Sequence, residues 1–192
     1  MKLFLITASF AFIIASCNSS KSKDEAKPEI NKDTAVTVPD STTGNSPKDT
    51  AVNEADLGGV GDLLLGLSDT KAIELLGQPE SKSKAEEWGA DGLMHQDWLY
   101  KSKGISLNMD NSKGNDKQTI FSITITSPCT FKTKKNMGIG STYNEVMKVY
   151  EKNIDKSFTD KATITVGSVY GGIIFSFKND KAEKVFVGAA AE

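Results

Sequence analysis

Residues able to carry nucleophilic or metal chemistry are few here: the chain holds one histidine and two cysteines. His95, in "GLMHQDWLY", would need Ser102, Ser106 or Cys129 as its partner in a catalytic dyad. None of these has the setting of a nucleophile elbow or of a papain-type cysteine, so His95 is expected at a loop or the start of a strand, without a catalytic role. Cys129 follows a strand-like run and has no CxxC partner to lower its pKa. It is expected to be a buried thiol that packs as a small hydrophobe. "DNSKGND", from Asp110 to Asp116, sets Lys113 among would-be calcium ligands and has no glutamate at the twelfth position, so it is read as a hairpin turn. The glycines of "LGGVGDLLLG" lack a GK[ST] ending and are read as a flexible lead-in to the folded part. A single histidine cannot build a His-rich zinc site. No catalytic residue, metal or cofactor is expected.

Cys17 has a different setting. Lys2 precedes an uncharged run from Leu3 to Ser16. A spanning helix takes about 20 residues, so this shorter run reads as the apolar part of an export signal. Ile14, Ala15, Ser16 and Cys17 resemble the bacterial lipobox, the alternative being an ordinary signal-peptidase site beside a cysteine. The resemblance implies cleavage before Cys17, diacylation of its thiol and usually a third chain on the new amino group. Several acyl chains make anchoring durable where one would be marginal. Asn18, in place of an aspartate, favours the outer membrane, and Asp24 and Glu25 among lysines resemble the surface-export signals of some Bacteroidota lipoproteins. Membrane lipid is thus the first expected partner, with the leaflet left open.

The whole chain of 192 residues has a formal charge of −2, which gives no basic footprint for nucleic acid. With Cys17 acylated, Cys129 has no cysteine to pair with, and the folded part depends on its core. Residues 18–55 are dominated by Lys, Asp, Ser, Thr and Pro without apolar periodicity. They read as a flexible coil with a root-mean-square span of roughly 30–40 Å. The expected organisation is a signal peptide over 1–16, a tether from the lipidated cysteine over 17–58, a first α-β repeat over 59–128 and a second over 129–192.

The repeat rests on two similar stretches. "GLSDTKAIELLGQP" begins at Gly66, with Ser68 as N-cap, an apolar face of Ala72, Ile73 and Leu76, and Gly77 and Pro79 as the stop. "GIGSTYNEVMKVYEKN" begins at Gly138, with Ser141 as the expected cap and Val146, Val149 and Tyr150 as the face. The two align at a shift of 73, Ser68 with Ser141 and Ile73 with Val146. Strand pairs follow each helix: "QDWLYKSKGISLNMD" and "TIFSITI" after the first, "ATITVGSVYGGIIFSFKNDKAEKVFVG" after the second. In "TIFSITI", Ile120, Ser122 and Thr124 are expected opposite Phe121, Ile123 and Ile125. The predicted fold class is α+β, a tandem repeat of a helix followed by an antiparallel meander.

Each copy resembles the small module shared by outer-membrane assembly lipoproteins of the SmpA/BamE type and by the beta-lactamase inhibitory protein. Gly66, Ser68, Ile73, Leu75, Leu76, Gly77 and Pro79 match its helix; Trp98, Tyr100, Gly104, Ile105, Leu107 and Met109 match its strands. The second copy keeps Gly140, Ser141, Val146, Gly172, Ile174 and Phe177, has Tyr150 and Glu151 where the pattern has Gly-Pro, and lacks the tryptophan. The resemblance spans roughly residues 60–188, and its tandem form is closer to the inhibitor. It implies a non-enzymatic module that binds another envelope or extracellular protein through aromatic residues on its sheet. Trp88, in the polar "KAEEWGADG", is then either an exposed anchor or a loop residue folded back over the core. Lys132, Lys134 and Lys135, in the connector from Thr126 to Gly140, are either a partner-binding cluster or a solvated loop. A small-molecule or glycan binder, or an unrecognised hydrolase, stays open as the alternative.

Overall fold

A computed structural model describes residues 54–190, so the leader, Cys17 and most of the expected tether lie outside the described residues. The folded part begins earlier than expected. A single turn of helix, α1 (Glu54–Leu57), leads into a small hairpin of β1 (Gly59–Val60) and β2 (Leu63–Leu64). Leu57, Val60 and Leu63 are all buried. The glycine-rich stretch is therefore a packed hairpin and not a flexible lead-in, because the apolar residues between its glycines have a core to join. At its turn the Gly61 amide donates to the Lys132 carbonyl at 2.8 Å, and φ is +55°. An added Cβ there would meet the Phe131 ring at 3.1 Å.

Two longer helices follow the expected plan with one correction. In α2 (Asp69–Leu76), Ser68 accepts from the Lys71 amide, Ala72 and Leu76 are buried one turn apart, and Gly77 ends the helix at φ +80°. In α3 (Tyr143–Val149), the cap is Thr142 and not Ser141. Thr142 accepts from the Glu145 amide, and Glu145 accepts from the Thr142 amide at 2.7 Å, a reciprocal capping box. Ser141 is buried and accepts from the Gly138 amide at 3.1 Å. The buried positions are then Val146 and Tyr150, while Val149 is exposed. Cap and buried positions thus have the same spacing in the two helices, Ser68, Ala72 and Leu76 in α2 and Thr142, Val146 and Tyr150 in α3, where the expected alignment paired Ser68 with Ser141.

The strands are β3 (Ser81–Lys82), β4 (Glu86–Glu87), β5 (Met94–Tyr100), β6 (Ile105–Asn111), β7 (Thr119–Thr126), β8 (Thr163–Ser168), β9 (Gly171–Lys178) and β10 (Lys181–Gly188). They form one antiparallel sheet in the order β3-β5-β6-β7-β10-β9-β8, with β4 also pairing β5. The chain is α+β. The "KSKG" turn between β5 and β6 closes on Gly104 at φ +65°, where a Cβ would lie 2.3 Å from the Thr126 carbonyl oxygen. In β7 the ladder slips between Asn108 and Met109, so that Ser122 faces Asn108, Ile120 faces Met109 and Phe121 is extra. This bulge breaks the expected alternation: Ile120, Ile123 and Ile125 all turn to the core.

Trp98, Tyr100, Leu107, Ile123, Phe175 and Val185 share one buried cluster with Ala72, Leu76, Val146 and Tyr150. Both helices therefore cover the same face of the sheet. Cys129 is free and buried in this cluster, and burial pushes its thiol pKa up. The Tyr150 hydroxyl donates to Thr133 Oγ1 at 2.7 Å, tying α3 to the connector. Tyr100 Oη is the buried side-chain polar atom without a hydrogen-bond partner among the described residues.

The two edges of the sheet differ in form. At one, β3 and β4 each offer two residues to β5 and are interrupted over residues 83–85. At the other, residues 154–160 run beside β8: Ile154 bridges Val166, and the Asp155 and Asp160 amides donate to the Thr165 and Thr163 carbonyls. Among the described residues no helix is long and apolar enough to cross a membrane.

Ile123, fully buried on β7 with partners on β6 and β10, reads out the shared core. Ile123→Ala should cost about 2–5 kcal/mol and lower the urea midpoint of one cooperative transition. Two separate transitions, one keeping the wild-type midpoint, would contradict a common core.

Candidate functional site

Side chains that alternate with the core residues project from the sheet face the helices leave open. They include His95 and Asp97 on β5, Ser106, Asn108 and Asp110 on β6, Phe121, Ser122 and Thr124 on β7, Phe186 on β10 and Ile174 on β9. His95 was expected in a loop or at a strand's start; it is the second residue of β5, paired on both sides, and buried. Trp88 covers it. The indole and imidazole rings stack with centroids 3.7 Å apart and planes 10° from parallel. Phe121, aimed outward by the bulge, meets His95 edge-on at 4.8 Å and Trp88 at 5.8 Å.

Hydrogen bonds fix the histidine ring. Asn108 Nδ2 donates to Asp97 Oδ1 at 2.8 Å, which turns Asn108 Oδ1 toward His95 Nδ1 at 2.6 Å. His95 Nε2 lies 2.9 Å from Asp91 Oδ2. Both ring nitrogens face acceptor oxygens, and a ring protonated on both donates to each. The segment carrying Trp88 is tied independently. The Ser83 amide donates to the Asp97 carbonyl, and the Asp97 amide donates to Ser83 Oγ, both at 2.9 Å. The Trp88 amide donates to the Leu93 carbonyl, and the Leu93 amide to Asp91 Oδ1, each at 2.9 Å. The Leu93 amide, and after it the His95 ring, hold the Asp91 carboxyl below its ordinary value of 3.8.

Trp88, Phe121, Ser122, Phe186, Ala189 and Ala190 line a cavity of about 410 Å³ on this face. A larger one, about 620 Å³, opens beside the β8–β9 turn between Leu57, Leu65, Asn153 and the exposed Tyr170. No family model, curated protein or solved structure matches this chain.

Trp88 is half-exposed and lies back on the sheet, but over His95 on the open face and not over the core. The lysines lie elsewhere. Lys132 donates to the Ile139 carbonyl at 3.3 Å, and Lys134 pairs with Asp56 at 3.4 Å; Lys135 is half-buried in the same connector. No contact joins them to Trp88. Cys129 is in the core on the helix side, so the sheet separates it from His95, and the hydrogen-bond partners of the His95 ring are Asn108 and Asp91, not Ser102, Ser106 or Cys129. Among the described residues no group of three His, Cys, Asp or Glu side chains is placed to hold a metal ion. Phe186 and the Asn108–Asp97 pair entered none of the expectations, although the alternation of "AEKVFVG" sets Phe186 opposite Val185 and Val187.

Asp91 supplies a pH test. A carboxyl with a depressed folded-state pKa contributes stability above its unfolded value and loses it as pH falls through the folded value. The tie to His95 is thus complete above about pH 4 and should be lost on further acidification. An acid step in the fluorescence that Trp88 contributes, taken as wild type minus Trp88→Phe, should report it. Asp91→Asn should remove that step, and its persistence would show that another group titrates there.

Proposed function

We propose that this protein is an exported lipoprotein, held at a bacterial outer membrane by an acylated Cys17, whose folded end binds another protein without catalysing a reaction. The anchor is supported by the leader and the lipobox-like run ending at Cys17. The binding role is carried by one observation: Trp88, Phe121 and Phe186 surround a cavity on a sheet face that the helices leave uncovered. Large half-exposed aromatics in a preset arrangement are the usual anchors of protein interfaces. Aromatic side chains bring large contact area with few rotatable bonds, so little entropy is lost when a partner docks.

The finer reading of the fold is a tandem repeat of the helix-then-meander module, in the manner of the beta-lactamase inhibitory protein. Support comes from the strand order, in which β5-β6-β7 and β8-β9-β10 are two meanders meeting at their last strands. The equivalence of Ser68, Ala72 and Leu76 with Thr142, Val146 and Tyr150 supports it as well. A small-molecule or glycan ligand remains the second reading, favoured by the 620 Å³ cavity beside Tyr170.

Two experiments test the proposal. Cys17→Ala should move the protein from the membrane fraction to the soluble one and abolish labelling by a palmitate analogue; retained labelling would refute the anchor. A photo-cross-linking residue at Thr124, on the open face, should trap a discrete protein in intact cells, while one at Lys148, on exposed α3, should not. Capture from Lys148 alone, or from neither, would count against this face.

A further inference from the structure

Two aromatic walls of the cavity on the open face are held by contacts of their own. Trp88 is held by the imidazole stack and by the backbone ties of its own segment, and Phe121 is fixed by the bulge. A volume of about 410 Å³ suits one large apolar side chain with room for its backbone. Preset walls cost little ordering when that side chain enters.

Charge decides what surrounds such an anchor. Glu86, opposite His95 on β4, Asp91 on the Trp88 segment, Asp97 on β5 and Asp110 on β6 lie on the same half of this face. Asp97 accepts from the Asn108 amide group, and Asp110 accepts from the Thr119 hydroxyl at 2.6 Å. These are neutral donors, so the charge on each oxygen pair stays. Among the described residues no lysine ion pair reaches any of the four; Lys113, the nearby cation that is paired, is bound to Glu87 at 2.9 Å. Of the four, Asp91 alone meets the His95 ring, at 2.9 Å. On β10 the open face carries Lys184, at the end of the strand away from Ala189 and Ala190. An acidic segment laid across this half would be repelled, and a neutral one would leave carboxylates desolvated without compensation.

Building on the protein-binding role of this face, we infer that the cavity between Trp88, Phe121 and Phe186 takes the apolar anchor of a basic segment of the partner protein. The carboxylates of β4, β5 and β6 hold that segment's lysines or arginines. The aromatic pocket supplies the affinity and the carboxylates the choice of partner and the rate of encounter.

The test uses the full-length protein and three labelled synthetic peptides, read by fluorescence anisotropy: phenylalanine flanked by lysines, phenylalanine flanked by glutamates, and the lysine peptide with glycine at the centre. The lysine-flanked phenylalanine peptide should bind at least about tenfold more tightly than either of the others. Asp97→Asn combined with Asp110→Asn, which keeps shape and hydrogen bonding, should weaken it about tenfold and flatten its salt dependence. Phe186→Ala should weaken it similarly, with near-UV circular dichroism confirming that the fold is retained. The inference is overturned if no peptide binds, if the glutamate peptide binds as well, or if the charge variants leave affinity unchanged. It is also overturned if the protein self-associates and Phe186→Ala abolishes this, which would make a second copy the occupant. Failure of all peptides while cross-linking from Thr124 still traps a protein would remove this inference and leave the docking face standing.

Discussion

Val185 lies opposite Ile125 and Val187 opposite Ile123, and through this seam β7 and β10 join two three-stranded meanders into a continuous sheet. Neither meander with its one short helix has the material for an independent core: α2 spans eight residues and α3 seven. Small sheets with one apolar face need a partner layer or further strands to be stable. The seam provides the strands, and all four residues across it are fully buried. Both helices pack on one side of the joined sheet, and the other side is left without a helix.

The bulge in β7 turns that bare face into something specific. A regular strand would put Phe121 beside Ile123 in the core and Ile120 outside. One extra residue reverses the local alternation, keeps three isoleucines inside and sends a phenylalanine out to meet His95 and Trp88. The histidine is then enclosed by aromatic surface on one side and by Asn108 and Asp91 at its edges. A buried imidazole needs such partners to avoid the cost of unsatisfied nitrogens. The Trp88 segment gains an attachment it could not make from its own polar sequence.

Much of the fold was legible because its signals are local. Helix caps and stops, the "KSKG" and "KNDK" turns and the alternation along β5, β6, β9 and β10 all act within a few residues. The misses came where two local signals competed or where a distant contact decided. Ser141 was expected as the cap, but its neighbour Thr142 takes that role, and of the expected face Val146 and Tyr150 are buried while Val149 is not. The lead-in glycines were ambiguous until Phe131, seventy residues later, packed against Gly61. The candidate site was the least legible part. Trp88 stood out in a polar loop, but its stacking on His95 depends on a bulge and on ladder pairings that no single stretch encodes. The lysines of the connector stood out too, and two of them are engaged close to home by a carbonyl and by Asp56.

The sheet's two edges bear on how copies of this protein behave at high local density. An edge strand with a free row of amides and carbonyls is a template for pairing with another chain. Here β3 and β4 present two residues each, broken at residues 83–85, so an incoming strand finds no continuous ladder. At the far side the amides of Asp155 and Asp160 already fill carbonyls of β8, and Thr159 takes the Thr165 amide. Crowded side by side, such molecules find no continuous ladder at either edge of the described sheet, and contacts between these edges fall to side chains.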